Sequence, residues 1–186
     1  MEDNPDKLKN PASLICFRYI NKAVSVAPDL RPFKNLVIFI KTELDLSGNC
    51  IETEIKNLSN LKYLRKLSLS SNHITELWPF PVTLEYLNLS CNHISAIPEL
   101  KLPRLIYLDL SCNLLTRIEY LIPLQQLRTL YLAYNLIRDL TCLVDFPNLT
   151  EVDLEHNMLN SLDSMKGLIE NEHIIVFIIK KNPAYK

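Results

Sequence analysis

A motif with apolar residues at fixed spacing, L-x-x-L-x-L-x-x-N-x-(L/I), recurs along the chain and limits what it can fold into. Four stretches match the motif in full, and they begin at Leu64, Leu84, Leu105 and Leu127. A fifth begins at Leu149 with one conservative swap, an earlier one has Lys41 in its first apolar slot, and a later one begins at Ile174. The asparagines of these seven repeats follow one another at steps of 20 to 25 residues: Asn49, Asn72, Asn92, Asn113, Asn135, Asn157 and Asn182.

The spacing inside each repeat predicts how one coil is built. The alternating L-x-L has the period of a short strand with one buried face, and later apolar residues at steps of three, such as Leu140, Leu143 and Phe146, carry the chain around the back. One coil cannot bury its leucines alone, so the coils must stack and their strands must form a parallel sheet. We therefore predict an α/β solenoid of about seven coils with a concave sheet and short 3₁₀ or irregular convex turns.

The repeated asparagine has its own physical reason. It stands at the bend after each strand, where its amide can donate to and accept from loop backbone that would otherwise be buried without a partner. We predict that the seven asparagines form a structural ladder along the stacked coils.

Residues 1–40 precede the repeats and are predicted to cap the open end of the core. Pro11 suits the first position of a helix, and Pro28 ends the segment that follows. We expect an amphipathic helix between them, with an irregular strand near residues 36–40; recognition of a partner or a membrane by the helix is the alternative. Its apolar face would contain Leu14, Phe17, Ile20 and Val24.

The repeats are expected to occupy residues 41–186 without a complete C-terminal cap. In the last repeat, Ile175, Val176 and Ile178 would lie on the concave side, so that the strand is apolar on both faces. An uncovered apolar edge strand promotes aggregation. We expect either that the chain is a fragment of a longer protein or that a partner or a second copy covers this strand. The alternative is that the strand folds back and buries both faces.

Composition argues against several function classes. The 20 Lys and Arg against 21 Asp and Glu leave a net charge of −1, which would not attract nucleic acid or an anionic membrane. No secretory signal or membrane-spanning run is visible, so we expect a cytoplasmic protein, with the nucleus as a second location. The five cysteines include no C-x-x-C pair, which indicates reduced thiols.

Catalytic and cofactor motifs are missing from the sequence. Two glycines cannot form a phosphate-binding loop or a G-x-G-x-x-G turn, and no G-x-S-x-G is present. Cys91, Cys112, His73 and His93 fall in neighbouring coils, but on opposite sides of the buried asparagine, so we interpret them as ordinary thiols and loop histidines and not as a metal site. We expect no enzyme activity, no cofactor and no metal.

These repeats resemble the leucine-rich repeat superfamily. The 22-residue step with a second I-x-x-L-x-x-L segment is similar to its short class, typified by the leucine-rich regulatory subunit of protein phosphatase 1, and the resemblance covers about residues 41–186. It implies a curved solenoid that binds proteins. The stretch Trp78-Pro79-Phe80-Pro81 departs from the pattern; we expect its aromatic residues to pack on the convex side, the alternative being a second contact surface.

The side chains flanking the strand leucines should face solvent on the concave side, where they would choose the partner. Tyrosine is enriched at interface hot spots, and neighbouring acids would select a basic segment; solvated strand residues without a partner are the alternative interpretation. The candidate binding residues are Tyr86, Tyr107, Asp109, Tyr131, Tyr134, Glu151 and Asp153.

The sequence therefore favours a non-catalytic protein-protein interaction module or scaffold, with a regulatory subunit as one form of it. The resemblance makes a phosphatase or a cytoskeletal component a candidate partner. A ribonucleoprotein component of the spliceosomal leucine-rich repeat type and a cytoskeletal or axonemal adaptor are the alternatives. A basic stripe would indicate the ribonucleoprotein, and none is visible on the strand positions, so we expect no direct contact with nucleic acid.

Overall fold

The computed structural model describes residues 42–184 and the backbone of Cys16–Arg18. Its strands form one parallel sheet in which the spatial order is the sequence order. The described strands are β1 (Cys16–Arg18), β2 (Glu43–Asp45), β3 (Lys66–Ser68), β4 (Tyr86–Asn88), β5 (Tyr107–Asp109), β6 (Thr129–Tyr131), β7 (Glu151–Asp153) and β8 (Val176–Ile178). The predicted parallel solenoid is confirmed, and β2 to β8 correspond to the seven repeats.

The strand register places like residues on top of one another. Leu67, Leu87 and Leu108 are successive partners in β3, β4 and β5, and each of these side chains is fully buried. The residue on either side of the central leucine in β4 and β5 is only half-buried, because side chains alternate across a strand. The repeated L-x-L thus puts the core on one face of the sheet and leaves the other face to variable residues.

Short turns close the coils on the side opposite the sheet, as predicted. The described 3₁₀ turns are Leu58–Asn60, Glu119–Leu121, Thr141–Asp145 and Asp163–Met165, and the last of these continues into the helix α1 (Lys166–Glu170). Three of these turns each bury one leucine in the core, and Leu58, Leu121 and Leu143 are at 1% exposure or less. The helix α1 packs on the turn Thr141–Asp145, where Gly167 lies against the backbone carbonyls of Leu140 and Thr141.

The asparagine ladder is a continuous hydrogen-bond network. The Asn113 side-chain amide donates to the carbonyl of Leu110 in its own coil and to that of Leu89 in the preceding coil, both at 3.0 Å. Its Oδ1 accepts from the backbone N–H of Ile94, also at 3.0 Å. The six rungs from Asn72 to Asn182 each join two coils in this way. All seven ladder residues are 3% to 6% exposed: Asn49, Asn72, Asn92, Asn113, Asn135, Asn157 and Asn182.

The shortened coil that contains Trp78 and Phe80 packs as expected. Their side chains are 8% and 6% exposed, with ring centroids 6.0 Å apart. The Trp78 indole N–H has no hydrogen-bond acceptor. Both aromatic residues are thus part of the hydrophobic core, and the prediction that they pack is confirmed.

At the N-terminal end, the prediction of a helix is wrong for Cys16–Arg18. These residues form β1, which pairs in parallel with β2 and sets Phe17 opposite Leu44. Apolar residues at steps of three fit a helix face, but the back of a repeat coil uses the same spacing, and the open edge of β2 provides backbone partners for a strand. The remainder of the predicted helix and the predicted strand near residues 36–40 lie outside the described residues.

At the other end, β8 pairs with β7 and does not fold back, so the alternative that both its faces are buried is wrong. Val176, Phe177 and Ile178 are 50%, 52% and 36% exposed. Phe177 occupies the column of the strand leucines as the partner of Val152, yet it remains exposed because no described coil packs on its far side. The predicted apolar exposure of this strand is therefore observed.

Candidate protein-binding face

Three tyrosines form a connected aromatic cluster on the solvent face of the sheet. Tyr86 and Tyr107 are register partners, and their rings stack with centroids 4.2 Å apart and an interplanar angle of 9°. Tyr131 comes from the next strand, two residues beyond the register partner of Tyr107, and meets Tyr107 edge-on at 5.5 Å and 81°. This diagonal contact is within the reach of aromatic side chains on neighbouring strands. We call Tyr86, Tyr107 and Tyr131 the tyrosine cluster.

The tyrosine cluster is hydrogen-bonded to the neighbouring carboxylate of Glu151. The Tyr131 hydroxyl donates to Oε1 of Glu151 at 2.7 Å. This bond, with some desolvation, raises the pKa of Tyr131 to about 12. Burial and the charge of Asp109 raise the pKa of Tyr107 well above its ordinary value. Both phenols therefore stay neutral and present apolar rings with polar tips, as is common at protein interfaces.

Two of the predicted acidic residues also accept hydrogen bonds from the backbone. Oδ1 of Asp109 accepts from the N–H of Ser111, and Oδ1 of Asp153 accepts from the N–H of Glu155, both at 2.9 Å. Such a bond two residues on is an Asx turn, and it stabilises the bend that follows each strand. The sequence signal for this role is an Asp or Asn that recurs at the last position of the strand, also at Asp45 and Asn88, and sequence reasoning had missed it.

Tyr134 lies apart from the tyrosine cluster. Its backbone has φ of +57°, and its ring stacks on His156 with centroids 4.3 Å apart. It belongs to a column of residues with a left-handed backbone, each of which directly precedes a ladder asparagine. Gly and Asn adopt this conformation more readily than other residues do. We call this column the left-handed rim: Ser71, Cys91, Cys112, Tyr134, His156 and Lys181. The equivalent position of the first coil is Gly48, with φ of +64°, but no glycine marks the other positions, so sequence reasoning did not identify the column.

Charges on the strand face are predominantly acidic. Lys66 is the one basic residue within the described strands β2 to β8, and its ammonium lies 2.8 Å from a carboxylate oxygen of Glu43. Beside the tyrosine cluster lie Asp109, Glu151 and Asp153. This face therefore has the electrostatics to attract a positively charged segment and to repel a phosphate backbone.

The histidines and cysteines near this face do not gather into a ligand set. The rings of His73 and His93 lie 5.6 Å apart in neighbouring coils. Over residues 42–184 no three His, Cys, Asp or Glu side chains converge as metal ligands would. The helices described there are too short for a lipid bilayer.

Comparisons with known proteins agree with this architecture. Sequence models described as "Leucine rich repeat" match residues 82–137, "Leucine Rich repeats (2 copies)" match residues 125–168, and further repeat models match residues 42–55 and 63–82. Internalin C2 of Listeria monocytogenes has a similar structure, with a TM-score of 0.74 and 27% identity, over 91% of this chain and 83% of that one.

Two curated relatives each match about two thirds of this chain. Toll-like receptor 2 type-1 of Gallus gallus is 33% identical over 124 residues, which are 63% of this chain and 15% of the receptor. A protein phosphatase 1 regulatory inhibitor subunit homolog of Arabidopsis thaliana is 38% identical over 141 residues, which are 71% of this chain and 43% of that protein. The chain thus spans less than half the length of either relative. Repeat spacing, parallel sheet and asparagine ladder agree with these matches, and the chain belongs to the leucine-rich repeat superfamily, whose members are protein-interaction modules.

Proposed function

We propose that this chain is a non-catalytic interaction module that binds a basic segment of a partner protein across the tyrosine cluster. The observation that carries the proposal is the connected set Tyr86, Tyr107 and Tyr131, with Tyr131 bonded to Glu151, on a face that the fold does not need for its core. Tyrosine faces attract guanidinium and ammonium groups, and the flanking carboxylates add charge complementarity. Asp109 supplies this charge from β5, the strand of Tyr107, and Asp153 supplies it from β7, as the register partner of Tyr131.

The stacking geometry supports binding by the rings. Tyr86 and Tyr107 hold each other in place, so little side-chain entropy remains to be lost when a partner covers them. The strands that carry the rings are fixed by the buried leucines Leu87, Leu108 and Leu130. A rigid aromatic surface of this kind concentrates binding energy in a few residues.

A double substitution of Tyr107 and Tyr131 by alanine tests the proposal. We expect it to weaken binding of a fluorescein-labelled arginine-rich peptide about 30-fold, equivalent to about 2 kcal/mol, since hot-spot aromatics carry that much energy. Fluorescence anisotropy measures the affinity, and circular dichroism checks that the repeats remain folded. A glutamate-rich peptide of equal length should bind neither protein.

Tyr120→Ala is the matched control, because this tyrosine is 50% exposed on the turn Glu119–Leu121, away from the strand face. It should leave the affinity unchanged. If the double variant, still folded, binds the arginine-rich peptide as tightly as the unchanged chain, the binding face lies elsewhere.

Regulation of a phosphatase is a second, more specific candidate, supported by the 38% identity to the phosphatase 1 regulatory inhibitor subunit homolog. It would place the chain in the cytoplasm or nucleus. Isothermal titration of the purified catalytic subunit of protein phosphatase 1 into this chain tests it. Saturable binding that is lost in the double tyrosine variant supports the candidate; absence of binding by the unchanged chain rejects the phosphatase and leaves the basic-segment proposal to its own test.

A further inference from the structure

Two exposed cysteines lie directly over one another on the left-handed rim. The register pair Asn88 and Asp109 joins β4 to β5, and Cys91 and Cys112 each follow three residues later. The backbone keeps this alignment beyond the strands, because Cys91 N donates to the carbonyl of Ser111 at 2.9 Å and Asn92 N to that of Cys112 at 3.2 Å. The two cysteines are therefore neighbours across adjacent coils, although 21 positions separate them in sequence.

Their backbone geometry aims both thiols the same way. Each has φ of +54°, so each side chain leaves the backbone at the same angle, and both side chains are exposed. Adjacent parallel strands lie about 4.8 Å apart, which falls within the range of about 4.4 to 6.8 Å between the Cα atoms of a disulfide. The pKa of the Cys112 thiol also reflects the closeness of Cys91. Desolvation, together with the neighbouring Cys91 and Asp109, raises this pKa to about 11.

From this alignment we propose that Cys91 and Cys112 form a redox-active dithiol, which a low-molecular-weight disulfide such as glutathione disulfide converts into a reversible cross-link between two coils. One thiolate attacks the disulfide and releases one glutathione thiolate, and the second cysteine then attacks the mixed disulfide and releases the other. The two cysteine sulfurs lose two electrons, glutathione disulfide gains them, and the two protons pass to the released thiolates. The site requires no other cofactor.

The other described cysteines are less suited to this reaction. Cys50 and Cys142 are only partly exposed. Burial raises the pKa of the Cys142 thiol to about 12, and the carboxylate of Glu119 acts in the same direction. Since the thiolate is the nucleophile, Cys142 should react slowly.

The test is oxidation of the folded, fully reduced chain with glutathione disulfide, followed by thiol titration, intact mass and peptide mapping. We expect two thiols to disappear per chain and the mass to fall by that of two hydrogen atoms. Trypsin separates the two cysteines onto residues 67–101 and 105–117, so the cross-link appears as one joined peptide pair that dithiothreitol separates. Because only thiolates react, the rate should rise by about tenfold per pH unit while both thiols are mostly protonated.

Cys91→Ser and Cys112→Ser should each abolish the two-thiol loss, whereas Cys142→Ser should leave it intact. Serine suits this position, because Ser71 occupies the same rim with the same φ of +54°. A glutathione adduct that persists on either cysteine of the unchanged chain, a link to a different cysteine, or a covalent dimer on a non-reducing gel would each overturn the proposal. Mapping of the unchanged chain decides the question even if a variant misfolds.

Discussion

Replacing Asn113 by alanine is the most direct test of how the coils are joined. Asn113 lies in a central coil, is 5% exposed, and bonds with both its own coil and the preceding one. Alanine removes the amide without adding any group that could clash. The substitution therefore measures what one rung of the ladder contributes.

The structure sets the magnitude of the loss. The carbonyls of Leu89 and Leu110 each keep a bond to another ladder asparagine, so they are not left without a partner. The buried N–H of Ile94 does lose its acceptor, because its bond is to Oδ1 of Asn113. One buried unpaired donor costs about 1 to 3 kcal/mol, and the weakened bonds to the two carbonyls add to this, so we expect a loss of about 3 kcal/mol.

Urea denaturation followed by circular dichroism measures this loss. With a denaturant slope of about 2 kcal/mol per molar, the midpoint should fall by about 1.5 M. Native-state hydrogen exchange gives a local reading, since the Ile94 amide should lose protection more than its neighbours do.

Asn148→Ala is the control: this side chain is exposed and donates only to the Gln125 carbonyl at 2.9 Å, so its loss should change stability by less than about 0.5 kcal/mol. An unchanged midpoint for Asn113→Ala, with Ile94 still protected, would refute the conclusion that the asparagine rungs hold neighbouring coils together.

Two further predictions concern single contacts. Gly167→Ala should destabilise the chain by about 3 kcal/mol in the same urea assay, because its methyl group would collide with the backbone carbonyls of Leu140 and Thr141, which cannot rotate away as a side chain could. The Tyr131 hydroxyl should titrate at about pH 12 in the ultraviolet spectrum, and Glu151→Gln should lower that midpoint towards 10.0. A folded-state pKa raised above the unfolded value means that this stabilisation is complete below pH 10 and lost between about pH 10 and 12; equal midpoints in the two proteins would show that the bond to Glu151 is not formed.

The sequence by itself determined the parts of this protein that repeat. Each L-x-L could be assigned to a strand, and each asparagine to the bend after it, because these features depend on a few adjacent residues and recur about every 22 positions. Stacking then follows, since no coil can bury its own leucines. The outward direction of Tyr86, Tyr107 and Tyr131 was predictable for the same reason.

Only the tertiary structure decided features that depend on contacts between coils. The spacing of apolar residues every three positions could not show whether Phe17 belongs to a helix or a strand. Phe17 lies in a strand because the edge of β2 provides hydrogen-bond partners for the backbone of β1. Tyr134 stacks on His156 of the next coil and does not join the tyrosine cluster, and the register of β4 and β5 brings Cys91 close to Cys112. Periodicity is a local property of the chain, whereas these contacts form between residues 20 or more positions apart, and the stacking of the coils sets their geometry.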